Sequence, residues 1–410
     1  MTPGAYNGPM IDAFIYDGLR TPFGRHAGAL APVRPDDLLG DLVGALVERG
    51  PFPVDRFEDV IAGCTNQAGE DCRNVARRAG LLGGLPVEVA GMTVNRLCAS
   101  GLAAVVDASR AVACGQGDLF VAGGVESMSR APFVMAKAER AYGRQLTTFD
   151  TTLGSRFPNR RATAAFGDHA MYETAEEVAK DLGIGREESD RLAARSQARY
   201  AQARSECFYS GELRPVTVPG PKRGQTTEVA DDEHPRPGTS LERLAALRPL
   251  TDDGVVTAGN ASGINDGAAA LIVGSRAVGE EAGAAPLARV VSAAVAGVEP
   301  RVMGLGPVPA SRKALARAGL TLADMDVIEI NEAFATQVLG CLKALEIDQV
   351  DSRVNPNGGA IAIGHPLGAS GARLTLTAVR QLQRIEGRYA LVTLCIGVGQ
   401  GLAAILERVG

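Results

Sequence analysis

Four residues of this 410-residue chain pair a reactive or hydrogen-bonding side chain with small neighbours: Cys98, Asn331, His365 and Cys395. His365 is one of four histidines and lies in NPNGGAIAIGHPLGASG (355–371). Glycine and proline impose unusual backbone paths at an entropic cost, so the stretch is either a linker or a backbone shaped around something. The apolar run Ala360–Ile363 and the helical pattern after Gly371 favour shaping. Cys98, in VNRLCASGLAAVVDASRAV, precedes a helix whose apolar positions are expected at 102, 105, 106, 109 and 112. A thiol at a helix N-terminus meets unpaired N–H groups and the positive end of the dipole, which favours thiolate. Imidazole beside cysteine makes an activated nucleophile. The bland alternatives are a filler cysteine and a histidine that caps a turn.

Cys395, in LCIGVGQG (394–401), is expected at the end of the last strand. Gly397, Gly399 and Gly401 after it let a carbonyl approach backbone N–H donors, the geometry of an oxyanion hole. EINEAFA (329–335) places Asn331 and Glu332 at a strand end. There the Asn331 amide either orients a water or carbonyl, or caps the following helix.

These residues need a rigid frame, and the apolar runs describe one. Segments 11–18, 57–63, 117–124, 288–297, 325–330 and 389–397 read as buried strands. PDDLLGDLVGALVER (35–49) opens with proline and two aspartates and then repeats apolar residues at helical spacing. This alternation predicts an α/β fold with a largely buried sheet.

A long internal repeat runs through it. Asp59-Val60-Ile61 recurs 267 residues later as Asp326-Val327-Ile328. Ser100-Gly101 recurs after 270 residues as Ser370-Gly371, and Gly117 recurs as Gly387. Val94-Asn95 and Val354-Asn355 are 260 apart, so the second copy carries ten extra residues before its Ser-Gly, and His365 is among them. Face-to-face packing of the copies would bring both helix starts together and set His365 over Cys98. Residues 129–251, rich in charge and turn residues, read as an insertion, largely helical, with a helix over 173–203 broken near Gly183-Ile184-Gly185. The domain division is 1–128 with 252–282, then 129–251, then 283–410.

Composition excludes several classes. Charged residues at 22%, a net charge of −5 and no basic block argue against a nucleic-acid partner. No apolar run reaches the ~18 residues of a membrane span, and no secretory leader is legible. Seven cysteines without a C-x-x-C pair fit a reducing cytoplasm and no metal centre.

NRLCASG, NEAFA, GHPLGASG and CIGVGQG, in this order, resemble the four signature blocks of thiolases, and the resemblance runs from LRTPFGR (19–25) to the final strand. It implies a duplicated five-layered α-β-α-β-α core with an inserted loop domain that holds coenzyme A, and no permanently bound cofactor. It implies Cys98 as acyl-accepting nucleophile, His365 as its base and Cys395 as acid/base. Asn331 through a water, with His365, would form one oxyanion hole; the amides of Cys98 and Gly397 would form the other. Ser262 in TAGNASGINDGAA, Arg236, Met171, Ala258 and Phe334 would contact coenzyme A. Many biosynthetic relatives carry His-Met where this chain has Ala170-Met171; His169, one residue away, is not given that role. His26 and His234 are expected on surface loops.

Segments 63–77, 150–157 and 297–310 are most similar to thiolases that cleave β-ketoadipyl-CoA (3-oxoadipyl-CoA) to succinyl-CoA and acetyl-CoA. A distal carboxylate calls for a cation, for which Arg156 stands against the simpler reading of a solvent-facing arginine. An acetoacetyl-CoA or general 3-ketoacyl-CoA thiolase shares every catalytic residue. A decarboxylating ketoacyl synthase would pair its cysteine with two histidines. A non-catalytic acyl-CoA carrier need not keep Cys98, Asn331, His365 and Cys395 together. A homotetramer is the assembly the resemblance implies.

Overall fold

The structure is a computed structural model in which residues 11–220 and 222–410 are described. Its centre is a mixed sheet built from β1 (Ala13–Arg20), β2 (Asp59–Gly63), β3 (Ala90–Val94), β4 (Leu119–Ser127), β5 (Asn265–Gly274), β6 (Ala288–Gly297), β7 (Val327–Ile330), β8 (Tyr389–Ile396) and β9 (Gln400–Arg408). The order is β7-β8-β9-β6-β1-β5-β4-β2-β3, and a two-residue strand, Gly24–Arg25, also pairs with β5.

The repeat in the sequence is a repeat in space. In the first half β2 and β4 are parallel, then β5 and β1 follow antiparallel. In the second half β7 and β8 are parallel, then β9 and β6 follow antiparallel. Even the edge is copied: Gly63 pairs with Val94 in β3, and Ile328 makes a parallel bridge to Val354. The halves join where β1 and β6 pair through Ala13–Val290, Phe14–Arg289 and Ile15–Ala288, so the two expected sheets run on into one.

Six strands fall where apolar runs placed them, and β3, β5 and β9 are additional. All ten residues of β5 are buried, so it shows no alternation, and it opens on the turn-like Asn-Asp-Gly. β9 also corrects the placement of Cys395. Val398 (φ 63°) and Gly399 (φ 80°) reverse the chain, so Cys395 lies near the end of the penultimate strand.

Helices cover the faces: α1 (Pro35–Arg49), α2 (Val75–Leu82), α3 (Ser100–Ala113), α4 (Met171–Leu182), α5 (Arg186–Ser205), α6 (Pro307–Ala318), α7 (Ala335–Leu345) and α8 (Leu367–Ile385). Strand residues alternate between three cores. Phe14, Val60 and Ala270 pack with α1 and α2; Val291, Ile328 and Ile405 pack with α6 and α7; Ile15, Ile61, Leu271, Val392 and Ala404 face α3 and α8 between them. This gives five layers, α-β-α-β-α. Position 109 corrects the expected apolar face of α3: it is a serine, fully buried all the same, with its hydroxyl donating to Val105 O at 2.7 Å.

α3 and α8 cross at the repeated Ser-Gly. A Cβ on Gly101 would meet Gly368 O at 2.6 Å, and one on Gly371 would meet Leu102 N at 2.2 Å. Only glycine permits backbones this close. Between β4 and β5 the chain makes a long excursion with α4, α5 and two small hairpins, Phe133–Met135 with Thr148–Asp150 and Val216–Pro219 with Thr226–Val229. α4 and α5 separate at the expected break, where Gly183 is left-handed (φ 63°).

Candidate active site

Cys98 sits in a 3-10 turn, Leu97–Ala99, directly before α3. Leu97 takes a left-handed φ of 45°, a costly conformation for leucine that the surroundings must hold. Ser100 holds it: Oγ accepts from Arg96 N at 2.8 Å and donates to Leu97 O at 2.7 Å. Asn95 Oδ1 accepts Leu97 N at 2.9 Å.

Folding works against the thiolate expectation, even though Cys98 is only half-buried. Burial pushes the Cys98 thiol up to about 11, while its own amide and that of Gly397 pull only partly back. Desolvation outweighs the helix end here. Cys395 is fully buried and is pushed well above the usual thiol range by burial, then by the nearness of Cys98 and Cys341. Both sulfurs therefore rest as thiols. The β8–β9 turn brings Gly397 beside them. A Cβ on Gly397 would lie 3.4 Å from Leu97 Cδ1 and 3.7 Å from Met171 Sδ, so Met171, the first residue of α4, reaches the same spot.

His365 is buried at the end of the glycine-rich segment. Its ring is fixed at both nitrogens, by Nδ1 to Ser370 Oγ at 2.6 Å and by Nε2 to Asn331 Nδ2 at 3.4 Å. Ser370 has a single hydrogen, and its Oγ donates to Pro366 O at 2.9 Å. Nδ1–H therefore donates to Ser370, and Nε2 keeps its lone pair. Burial, then the Arg373 charge, pushes the imidazole down to about 3, so it rests neutral as a free base. Asn265 fixes the backbone: its Oδ1 accepts His365 N at 2.9 Å and its Nδ2 donates to Gly24 O at 2.9 Å. Glu332 holds the approach by accepting from Ser196 Oγ (2.6 Å), Asn355 Nδ2 (2.9 Å) and Ile361 N (3.2 Å).

Asn331 does not cap the next helix, which starts after Phe334. Its backbone N donates to Thr393 O, and its buried Oδ1 has no partner among the described residues. The other expected contacts are spread over neighbouring loops. Ser262 N donates to Ala333 O at 2.9 Å, and Phe334 bridges to Ala261. Ala258 is exposed on a turn pinned by Asn260, whose Oδ1 accepts Thr257 N. Arg236 is exposed, with its backbone N bonded to Gln197 Oε1.

His26 and His169 are exposed. His234 is a correction: it is half-buried against Gly263, and burial lowers it to about 4. Arg156 is half-buried too, with Nη1 at 3.4 Å from Asn66 Oδ1. Sequence reasoning missed Ser370 as the orienter of His365, and it missed Asn265 and Glu126. Ser370 was already visible as one member of the repeated Ser-Gly.

Chemically the site offers a hindered thiol, a neutral imidazole with a free lone pair, a second thiol and backbone donors. That set fits transfer of an acyl group to sulfur. Comparison with known proteins agrees. The family profile "Thiolase, N-terminal domain" matches residues 13–277, and "Thiolase, C-terminal domain" matches 284–408. The 3-oxoadipyl-CoA/3-oxo-5,6-dehydrosuberyl-CoA thiolase of Escherichia coli K12 is 58% identical over 98% of this chain and 100% of its own length. A beta-ketoadipyl-CoA thiolase of Acinetobacter baylyi is 53% identical over the same shares. The crystal structure of human mitochondrial 3-ketoacyl-CoA thiolase in complex with CoA superposes with a TM-score of 0.90 at 38% identity, covering 99% of this chain and 100% of that one. With both halves matched, and with relatives this similar along nearly the whole length, this chain belongs to the thiolase family of acyltransferases.

Proposed function

We propose that this enzyme cleaves 3-oxoadipyl-CoA with coenzyme A to succinyl-CoA and acetyl-CoA. The chemistry rests on one observation: the β8–β9 turn packs Gly397 against Leu97 in the Cys98 turn, near enough for its amide to favour the Cys98 thiolate, with the Cys395 thiol close by. The substrate rests on the relatives above that share more than half of their residues with it.

Cys98 Sγ attacks the C3 carbonyl and passes its proton to His365 Nε2. The amides of Cys98 and Gly397 stabilise the oxyanion. The C2–C3 bond then breaks, its electron pair stays with the acetyl-CoA carbon, and that carbon takes a proton from Cys395. Asn331, through a water, and the protonated Nε2 of His365 stabilise the enolate oxygen. The succinyl group is left as a thioester on Cys98. Cys395 then accepts the proton of an incoming coenzyme A thiol, which displaces Cys98, and Cys98 recovers its proton from His365.

Residues 129–251 would be the loop domain that holds coenzyme A, through Arg236 and Met171, with Ser262, Ala258 and Phe334 completing the contacts. Within that excursion Phe133, Met135, Leu146, Leu153 and Phe166 are exposed, which supports burial in a homotetramer. Light scattering would report the mass. No helix among the described residues is long and apolar enough to cross a membrane, which agrees with work in the cytoplasm.

The deciding experiment compares thiolysis of 3-oxoadipyl-CoA and acetoacetyl-CoA under identical conditions. A large preference in kcat/KM for the dicarboxylate supports the assignment. Equal or better turnover of acetoacetyl-CoA discards the substrate and keeps the mechanism; cleavage of neither points to a carrier.

A further inference from the structure

We propose that Glu126 is a positioning residue whose carboxylate joins the His365 segment of one copy to the Cys98 turn of the other. The inference rests on Cys98 and His365 acting as described above. Glu126 lies near the end of β4, fully buried. Its Oε2 accepts Gly368 N at 2.9 Å, three residues beyond His365. The same oxygen accepts Thr65 N at 3.1 Å and Thr65 Oγ1 at 2.8 Å, and Oε1 accepts Asn66 N at 3.0 Å. From there the bonds run on to the nucleophile: Asn95 Nδ2 donates to Thr65 O at 3.2 Å, and Asn95 Oδ1 accepts Leu97 N.

One carboxylate thus closes a continuous path between two turns that are 267 positions apart in the chain. Packing on the same strand leaves it no slack. A Cβ on Gly124 would meet Gly368 O at 2.0 Å, and a Cβ on Gly368 would meet Val125 O at 2.3 Å. Four donors converging on an acceptor-only group is an arrangement that no neutral side chain of this shape reproduces.

The charge has a second consequence. Cys98 feels Glu126 as a repulsion that holds its proton on, and the other groups facing Glu126 are the Cys64 thiol and, beyond it, Asp71. Burial pushes Glu126 itself up to about 7, so it acts as a charge and as an acceptor-only group above that pH, and the alkylation rates are compared there. Joint and charge make opposite predictions for a neutral replacement. Glu126→Gln removes the repulsion but sets an amide against one of its donors.

The experiment follows iodoacetamide alkylation of the Cys98 peptide by mass spectrometry across pH, beside steady-state thiolysis. For E126Q the expected result is faster alkylation of Cys98 at fixed pH, with kcat about tenfold or more below wild type and KM for coenzyme A unchanged. Unchanged kcat, or alkylation and kcat falling together, overturns the proposal. Thr65→Val serves where E126Q does not fold, since it keeps the charge and removes one arm. It should lower kcat a few-fold without speeding alkylation, and faster alkylation in T65V would overturn the role of the charge. Turnover retained in C98A would instead sink the underlying assignment of the nucleophile.

Discussion

The two copies of the repeat begin their central helices alike and then use them differently. In the first, Ser100 bonds back to Arg96 N and Leu97 O and so shapes a tight turn that presents Cys98. In the second, Ser370 bonds back to Pro366 O and receives Nδ1 of His365. The repeated serine opens α3 in one half and lies in the first turn of α8 in the other, shaping the Cys98 turn in the first and holding the His365 ring in the second. The ten extra residues of the second copy make the difference, since they supply a histidine and the length to carry it around to the partner copy. Duplication provides two central helices whose first turns carry a repeated Ser-Gly; divergence of the loops before them sets a thiol in one half and an imidazole in the other.

Breaking either role is the largest perturbation of that comparison. Cys98→Ala should cost about a million-fold in kcat, as loss of a covalent nucleophile does. His365→Ala should cost about 10²- to 10⁴-fold, the range for a positioned base. Acyl-enzyme trapped with 3-oxoadipyl-CoA and mapped by mass spectrometry checks both: label should sit on Cys98 and be absent from C98A.

The crossing that aligns the two copies comes next. Gly101→Ala or Gly371→Ala drives a methyl into backbone and should lower stability by about 1–3 kcal/mol or more, read as a fall in Tm. Gly185→Ala, which meets open space, should barely move it.

Ser370→Ala sharpens the division of labour. Loss of the Nδ1 bond should lower kcat about tenfold and leave KM for coenzyme A alone. A change confined to KM would show that Ser370 does not act through His365.

The response to pH tests the resting state of both halves. His365 falls from an ordinary 6.5 to about 3 on folding, so the unfolded chain binds the extra proton between those values. Stability contributed by the neutral ring is present above 6.5 and is lost as pH falls toward 3, which denaturant midpoints across that window would report. Cys98 alkylation in the resting enzyme should keep climbing toward about 11. A plateau near neutrality would mean that a thiolate–imidazolium pair forms at rest.

Strands β1, β2, β4 and β6 to β8 were legible because they are bounded apolar runs, and α1 because proline and acidic residues mark its start. β5 was hidden, since a strand buried on both faces loses its alternation. Cys98, Asn331, His365 and Cys395 stood out through their small neighbours and motif context. Glu126 and Asn265 did not, because a buried carboxylate or amide declares its partners only when distant backbone N–H groups arrive at it.

The sequence by itself determined the α/β class and the duplication, and it singled out a charged, turn-rich middle region and four candidate side chains, all of which depend on residue type and local spacing. Only the tertiary structure decided that the two sheets run on through β1 and β6, that Nδ1 of His365 is the nitrogen held by serine, and that Cys98 rests as a thiol. The reason is physical. Propensity and pattern act over a few residues, whereas desolvation and hydrogen-bond partnership are set by whatever the fold brings within a few ångströms.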